Sequence, residues 1–419
     1  MREMWRHRGI RLIFLANLIS MIGSGMNQAA VIWYILQATH SEVSLGALIA
    51  LQTIPSLLLL PFTGVLIDRE DRRHLLMWLD AVRGVIILAV ALLVFTHRVH
   101  LWHVYLMNVL VAIGFWTFFP TVNALVQELT PDDKMLDSNS LLLAAWQGGW
   151  LMAGALVGFV YNHIGLGGVL LIDAVTYAIS IACVFYVRKG RVTVAQPETE
   201  GPQPADGDIA RYLREFVEGY QYVRENRRVL LIGIAWALFV AAMMTQGVLS
   251  APLSDRLLHG GAVGYGWLNA GWAVGAFVAV FYASNFIRKR GANLSVTLAM
   301  STIAACLFLL PVSHWLVLAV PMYFVMGSSR GVGGIALSSE MMQLVPRHFM
   351  GRVQNAFSFV ANALQICTAL LVGEAAHRDG LRYGFWMVGT MYLGAALAAW
   401  LPVRKMRAMA FERGNSAAD

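Results

Sequence analysis

The chain has 419 residues, of which 58% are hydrophobic and only 13% are charged. Soluble domains carry about 25% charged residues, so this composition excludes an ordinary soluble protein and indicates a chain that crosses a membrane several times. The formal net charge of +7 does not indicate nucleic-acid binding, because the charges gather in short loops between apolar segments.

Twelve apolar segments are long enough to form membrane-spanning helices, which need about 20 residues each. They cover residues 10–37, 43–67, 75–97, 101–127, 138–162, 167–187, 229–253, 261–287, 292–312, 315–339, 353–376 and 383–403. The sequence therefore predicts an all-α membrane protein with twelve transmembrane helices.

Lysine and arginine residues are distributed unevenly between the two sides of these segments. Most of the 31 lie in the termini and in the loops on the same side. The opposite loops hold only Arg98, Arg256, Arg378 and Arg382. The positive-inside rule then predicts a multi-pass protein of the cell membrane with both termini in the cytoplasm. No cleavage-site pattern follows the first segment, which we expect to be a retained signal anchor.

A polar stretch divides the chain into two parts. Residues 192–208 are rich in proline, glycine and acidic residues, which is typical of a flexible linker. Asp208 is a candidate cap for a short amphipathic helix that we expect on the membrane surface or beneath the bundle. These features predict a half at 1–188, a cytoplasmic linker at 189–228 and a second half at 229–419.

An internal repeat supports this division. The stretch LTPDDKMLDSN from Leu129 to Asn139 aligns with LVPRHFMGRVQ from Leu344 to Gln354. The alignment places Pro131 over Pro346, in the same position relative to the helices of each half. Two pseudo-symmetric halves of six helices each are therefore expected.

The second and third segments are joined by a charged hairpin, residues 64–73, which reads GVLIDREDRR. Taken alone, this run has two interpretations. It is either a solvated basic cluster that only sets the topology, or a functional element of the membrane protein.

The hairpin pattern G-x-x-x-D-R-x-x-R-R resembles the signature of major facilitator superfamily transporters. The stretches DREDRRHLLMWLDAVRGV, ALVQELTPDDKMLDSNSLL, LIDAVTYAIS and QLVPRHFMGRVQNAFSF resemble the branch that contains bacterial macrolide and multidrug exporters and the enterobactin exporter. The resemblance implies two parallel halves with a substrate site between them.

The resemblance also implies roles for the hairpin residues. Gly64 would allow close packing of helix two, and Asp68 would lie against the N-terminus of helix eleven, where the helix dipole favours an anion. That contact would close the cytoplasmic gate. Arg69, Arg72 and Arg73 would hold the acid and contact lipid phosphates.

No enzyme motif is present in the chain. There is no HExxH, P-loop or CxxC pattern and no large soluble segment that could form a catalytic domain. The three cysteines, Cys183, Cys306 and Cys367, are widely spaced in apolar segments, so they predict neither disulfides nor a metal site. We expect no enzyme activity, no cofactor and no metal.

Ionisable residues within apolar segments are costly and are functional candidates. The candidates for coupling are Asp80, Arg83, Asp173, Arg330 and Glu374. Asp80 and Arg83 are three residues apart on one helix and can form an ion pair. That pair has either a structural role behind the gate or a direct part in proton movement.

The other three candidates also have two interpretations each. Asp173 and Glu374 could carry a proton, because burial favours the protonated form of a carboxyl group, or could be helix-end residues in a hydrated vestibule. Arg330 lies near the middle of helix ten. It could bind an anionic substrate or serve in coupling, or could pair with Glu340 or with backbone carbonyls.

Uncharged polar and aromatic residues indicate a substrate cavity. The candidates are Asn27, Gln28, Trp116, Trp146, Gln147, Gln246, Asn269, Trp272, Asn362 and Gln365. Such a lining suits a bulky amphiphile better than a sugar or small ion. The amides could equally form interhelical hydrogen bonds, and tryptophans at helix ends are often interfacial anchors.

The sequence therefore predicts a secondary transporter, in monomeric form, that exports an amphiphilic, drug-like molecule by alternating access in exchange for protons. Membrane lipids and protons are the other expected partners, and nucleic acid is not. A siderophore exporter or a lysophospholipid carrier would have the same fold. A membrane sensor or scaffold without transport is the alternative from another class.

Overall fold

The structure is a computed structural model that describes residues 8–130, 135–187 and 208–415. Within these ranges it leaves the side chains of 60–65, 68–69, 135–137, 139–140, 208–213, 215–216, 347–348 and 402–415 undescribed. The described residues contain eleven helices long and apolar enough to cross a membrane. The chain is therefore a multi-pass membrane protein.

The first five helices contain the first six predicted spans. They are α1 Arg8–Thr39, α2 Glu42–Arg69, α3 Arg72–Phe95, α4 Leu101–Leu129 and α5 Met135–Phe185. Helix α5 combines two spans that are separated at Gly165, whose φ of 61° is non-helical. Glycine adopts this left-handed conformation without the steric cost that a Cβ atom would add. Counting α5 as two spans gives the twelve predicted crossings.

The remaining elements follow the linker. They are α6 Asp208–Glu225, α7 Arg227–Thr245, α8 Gly247–Pro252, a π-helical turn Leu253–Leu257, α9 Gly261–Arg290, α10 Ala292–Leu309, α11 Leu316–Leu344, α12 Arg347–Arg378 and α13 Leu381–Asn415. Helix α6 is the amphipathic helix that the sequence predicts after Asp208.

Two compact units account for these helices. Unit 1 contains Met1–His40 and Leu51–Tyr212, and unit 2 contains Ser41–Ala50 and Leu213–Asp419. Helix α2 therefore contributes its first turns to unit 2 and the rest of its length to unit 1. The predicted division into halves at 1–188 and 229–419 stays a prediction.

Unit 1 is organised by the packing of α1 and α3 on α5. Its apolar core includes Ile13 of α1, Leu76 of α3 and Val126 of α4, all buried. Close approach of α1 and α5 depends on small residues, since a Cβ atom on Gly25 would lie 2.6 Å from the Cβ of Ala153. Such small residues allow membrane helices to approach closely and gain van der Waals contact.

Unit 2 contains a close crossing of α9 and α11. A Cβ atom on Gly275 would overlap the backbone of Phe324, and one on Gly327 would overlap the backbone of Trp272. The two helices therefore touch through their backbones at these glycines.

Helix α6 packs on the α11–α12 turn of unit 2. Val223 is buried there, and the Tyr222 ring stacks on the Phe349 ring at a centroid distance of 4.8 Å. The Arg352 guanidinium donates to Glu218 at 2.6 Å. These contacts fix the C-terminal half of α6 to the start of α12, in keeping with the expectation that the helix lies beneath the bundle.

The first turn of α2 is also fixed within unit 2. Glu42 is fully buried and forms ion pairs with Arg256 at 2.6 Å and, when the imidazole is protonated, with His377 at 3.2 Å. Gly373 of α12 packs on the backbone of Glu42, where a Cβ atom would lie 2.7 Å from the carbonyl oxygen. This cluster joins α2, the π-helical turn and α12.

Candidate functional site

The charged hairpin connects α2 and α3. Asp71 begins α3 as its N-cap, because its carboxylate accepts from the amide nitrogens of Arg73 at 3.0 Å and His74 at 3.3 Å. The side chains of Gly64, Asp68 and Arg69 lie outside the described residues, so their gating role stays a prediction.

Arg72 and Arg73 bind to neighbouring elements of unit 1. Arg72 Nη1 lies 3.4 Å from Glu128 Oε2 near the end of α4. Arg73 donates to the carbonyl oxygens of Val184, at 3.2 Å, and Phe185 in the last turn of α5. The Val184 carbonyl also accepts from the Val187 amide nitrogen at 3.0 Å, and the two Arg73 hydrogen bonds cap the end of α5. The two arginines hold the hairpin against the ends of α4 and α5.

A buried ion pair lies on α3 in unit 1. Asp80 and Arg83 are 0% and 1% exposed, and the Arg83 guanidinium pairs directly with the Asp80 carboxylate. Ser180 Oγ donates to the second Asp80 oxygen at 2.7 Å. The helical spacing predicts this pair, and the structure confirms its geometry.

Two aromatic rings enclose the Arg83 guanidinium. Its central carbon lies 4.4 Å from the ring centroid of Phe118 and 4.6 Å from that of Tyr177. Cation–π contacts of this kind stabilise a desolvated cation. Gly114 makes room for the arginine stem, since a Cβ atom there would lie 2.7 Å from Arg83 Cδ.

A second buried carboxyl group, Asp173, belongs to the same cluster. Asn27 Nδ2 of α1 donates to Asp173 Oδ2 at 2.7 Å, and Thr176 Oγ1 lies 3.3 Å from Oδ1. Among the described residues Asp173 forms no ion pair. The Ser24 and Tyr177 hydroxyls, 2.9 Å apart, connect α1 and α5 beside it. We call the set formed by Asn27, Asp80, Arg83, Asp173, Tyr177 and Ser180 the unit 1 polar cluster.

The charges of the unit 1 polar cluster do not balance unless one acid is protonated. Arg83 compensates the single negative charge of Asp80, with which it is in direct contact. An ionised Asp173 would add an uncompensated charge inside the protein, which costs several kcal/mol. A proton on Asp173 makes the cluster neutral, so this group is suited to binding and releasing one proton.

The vestibule interpretation is wrong for Asp173, because its side chain is fully buried against α1 and α5. It describes Glu374 better. That side chain is 40% exposed and pairs with Arg378 one turn further along α12. The two acids, which the sequence treats alike, therefore lie in opposite environments.

Arg330 lies in unit 2 at the middle of helix α11. The alternative of a pair with Glu340 is wrong, because Glu340 contacts Arg228, at 3.8 Å, and Asn293. Ten residues along one helix correspond to about 15 Å, which separates the two side chains. Arg330 Nε instead donates to the Met243 sulfur of α7 at 2.8 Å.

The cavity candidates differ in their surroundings within each unit. In unit 1, Asn27 binds Asp173, Gln28 and Gln147 are half-buried, Trp146 contacts Phe119 at 4.2 Å, and Trp116 is exposed. In unit 2, Gln246, Asn362 and Gln365 are buried, Trp272 contacts Tyr323, and Asn269 donates to the Tyr265 carbonyl oxygen at 2.8 Å. Their role as a substrate cavity stays a prediction.

The sequence interpretation missed several members of these clusters. Tyr177 and Ser180 follow Asp173 at helical spacings of four and seven residues, so this polar face of α5 was recognisable. Glu42 had no such signal. Its partners, Arg256 and His377, lie on distant segments, and a single polar residue at such a position is not unusual in a membrane protein.

Two curated relatives cover nearly the whole chain. Macrolide efflux protein A of Streptococcus pyogenes is 21% identical over 92% of this chain and 93% of its own. Multidrug efflux pump Tap of Mycolicibacterium fortuitum is 24% identical over 93% of this chain and 95% of its own. Both are named as efflux proteins.

Solved structures show the same fold at low sequence identity. The nucleoside transporter NupG superposes with a TM-score of 0.71 at 14% identity, covering 93% of this chain and 98% of its own. A bacterial homologue of the human lysosomal transporter Spinster superposes with a TM-score of 0.67 at 15% identity, covering 96% and 97%. This likeness concerns the fold alone.

The family model with the description Major Facilitator Superfamily matches residues 13–366, which is most of the chain. The match includes the charged hairpin, the unit 1 polar cluster and Arg330. Transport rather than enzyme catalysis is therefore the activity of this protein, which belongs to the Major Facilitator Superfamily.

Proposed function

We propose that this transporter exports an amphiphilic small molecule across the cell membrane by alternating access and exchanges it for protons. The observation that carries the proposal is the buried carboxyl group of Asp173, which has no ion-pair partner among the described residues. The names of the two efflux relatives support the direction of transport. Family membership favours transport over a sensor or scaffold.

Asn27 suits both protonation states of Asp173. Its amide nitrogen donates to the carboxylate, while its buried Oδ1 atom has no hydrogen-bond partner within the described ranges. A protonated carboxyl group has an O–H donor, and rotation of the amide would present Oδ1 as its acceptor. Uptake and release of a proton would therefore change the hydrogen bond between α1 and α5.

The Asp80–Arg83 pair supports this role by fixing the local charge. An always-protonated arginine in contact with Asp80 keeps that acid ionised, so the two acids of the cluster have separate functions. Asp173 takes part in proton exchange, and Asp80 neutralises Arg83. The hairpin residue Asp68 would act separately, as the cytoplasmic gate.

The first test compares Asp173→Asn with Glu374→Gln in proteoliposomes loaded with a fluorescent amphiphile. In the wild type an imposed pH gradient should drive transport of the amphiphile against its concentration gradient. An imposed amphiphile gradient should in turn drive protons in the opposite direction. Asp173→Asn should abolish the gradient-driven component but retain exchange of amphiphile across the membrane. Glu374→Gln should behave like the wild type, because Glu374 is exposed.

Two results would contradict the proposal. Gradient-driven transport by Asp173→Asn would exclude this residue as the proton carrier. A wild-type transport rate that does not depend on the pH gradient would exclude proton exchange and favour a facilitator or lipid carrier. Separately, Asp68→Asn should abolish transport with unchanged expression in the membrane, and normal transport would exclude the gate assignment.

A further inference from the structure

Within the described part of the chain, Arg330 is a cation without an anionic partner, and it lies in the middle of a membrane-spanning segment. It is the central residue of the 29-residue helix α11 and is half-buried. A guanidinium group has five N–H donors in a planar fork. Among the described residues its only hydrogen-bond acceptor is the Met243 sulfur, at 2.8 Å. A thioether is a weak acceptor, so most of this donor capacity is unused.

A second unused donor lies on helix α13. Tyr392 is fully buried, and its hydroxyl has no hydrogen-bond partner among the residues that the structure describes. This hydroxyl is close enough to Arg330 for the two groups to interact electrostatically. Buried polar groups in native structures are nearly always hydrogen-bonded, so two donor groups that have no oxygen acceptor among the described residues indicate a ligand.

The surroundings of the two donors are apolar. The Phe239 ring of α7 lies 6.3 Å from the Tyr392 ring, edge to face. A Cβ atom on Gly334, one turn after Arg330, would still lie 3.9 Å from Phe239. Met243 and Phe239 of α7 and the small residue Gly334 of α11 thus give the two donors apolar neighbours.

We propose that Arg330, with Tyr392 as a second donor, binds the anionic group of the cargo, and that the cargo is an acidic amphiphile. A carboxylate or phosphate accepts two hydrogen bonds from a guanidinium fork and neutralises its charge. The apolar side chains of α7 and α13 would contact the body of the ligand. The Arg330 residue keeps part of its surface exposed. This inference rests on the proposed function, to which it adds the charge of the cargo.

Binding to purified full-length protein in phosphatidylcholine nanodiscs tests the proposal. The probes are dansyl-aminoundecanoic acid and its primary amide, which share the fluorophore and chain but differ in charge. Fluorescence above protein-free nanodiscs reports binding. The wild type should bind the acid roughly 10- to 100-fold more tightly than the amide, the range for hydrogen bonds to charged groups.

Three variants separate the role of Arg330 from a general loss of structure. Arg330→Met should bind the acid and the amide with equal affinity. Tyr392→Phe should lower the affinity for the acid by about five- to tenfold, because it removes one hydrogen bond. Arg382→Met is the matched control, because Arg382 is exposed at the start of α13. It should bind like the wild type. Unchanged amide binding in Arg330→Met shows that the variant is folded.

The results that would exclude the anion site at Arg330 differ from those that would exclude the proposed export activity. If the ratio of the affinities for acid and amide in Arg330→Met or in Tyr392→Phe equals that of the wild type, the proposed anion site is excluded. Loss of acid binding on adding phosphatidylglycerol to the nanodiscs would identify bilayer lipid, not cargo, as the ligand. If neither probe is transported by the wild type in liposomes while the acid ratio holds, the exporter hypothesis fails and the anion site stands.

Discussion

Removing either member of the buried Asp80–Arg83 pair should destabilise unit 1, and the two single substitutions should differ in their response to pH. Both side chains are at most 1% exposed, so loss of one partner leaves a charge with no access to water. Breaking a buried pair in this way costs about 3–5 kcal/mol. We take Asp80→Asn and Arg83→Met as the two variants.

The stabilities of the two variants should depend differently on pH, because the carboxylate left in Arg83→Met can be neutralised by a proton, whereas the guanidinium left in Asp80→Asn cannot lose its charge. In Arg83→Met a proton can neutralise Asp80, at a cost of about 4 kcal/mol at pH 7 for a carboxyl group that titrates near 4 in the unfolded chain. This cost falls by about 1.4 kcal/mol for each unit that the pH is lowered towards 4. In Asp80→Asn the arginine keeps its charge at any accessible pH, so its cost stays constant.

The assay is SDS-induced unfolding in detergent–lipid bicelles, followed by tryptophan fluorescence at pH 7 and pH 5. Arg83→Met should regain about 2–3 kcal/mol of stability relative to the wild type over this range. The double variant should be more stable than the sum of the singles predicts, by about 2–4 kcal/mol, because it leaves no unpaired charge. Additive costs, or equal pH dependence of both singles, would refute this argument. The exposed pair is the control: Glu374→Gln should cost less than about 1 kcal/mol.

Two further substitutions test contacts in unit 2. Gly219→Ala should loosen α6, because its Cβ atom would lie 2.7 Å from the Arg352 carbonyl oxygen, and trypsin should cleave α6 faster than in the wild type. Gly351→Ala, next to Arg352 on α12, is the control. A Cβ atom there meets no atom within 4 Å, so the rate of α6 cleavage should equal that of the wild type. Faster cleavage of this control would indicate general destabilisation. Glu42→Gln should lower the thermal midpoint, since it removes the anion between Arg256 and His377, at a cost of about 1–3 kcal/mol given the partial exposure of both partners. A midpoint equal to that of the wild type would show that this cluster contributes nothing to stability.

Local patterns in the sequence predict the helices and the contacts within one helix. The apolar segments predict the spans, and the three-residue spacing of Asp80 and Arg83 predicts their ion pair, which the structure confirms. The amphipathic pattern predicts helix α6, which spans Asp208–Glu225, while the capping role of Asp208 stays a prediction. These features depend on residues a few positions apart, for which helix geometry alone decides the neighbours.

Contacts between segments that are far apart in the sequence cannot be predicted from local patterns. Asp173 is 146 positions from Asn27, and only the packing of α1 on α5 shows that the acid is enclosed rather than exposed to water. His377 is 335 positions from Glu42. The pairing of Arg330 with Glu340 was avoidable, since helix geometry already places them about three turns apart.

Arg330 has no ion pair in the part of the chain that the structure describes, so its charge should also make transport respond to membrane voltage. A full elementary charge crossing the bilayer changes in energy by about 2.3 kcal/mol per 100 mV, and a residue at the middle of α11 lies where the field acts. Movement of the guanidinium through a tenth of the field would contribute about 0.2 kcal/mol per 100 mV. An anionic ligand on Arg330 would cancel this term, so the empty and loaded forms of the carrier should respond differently to the resting potential.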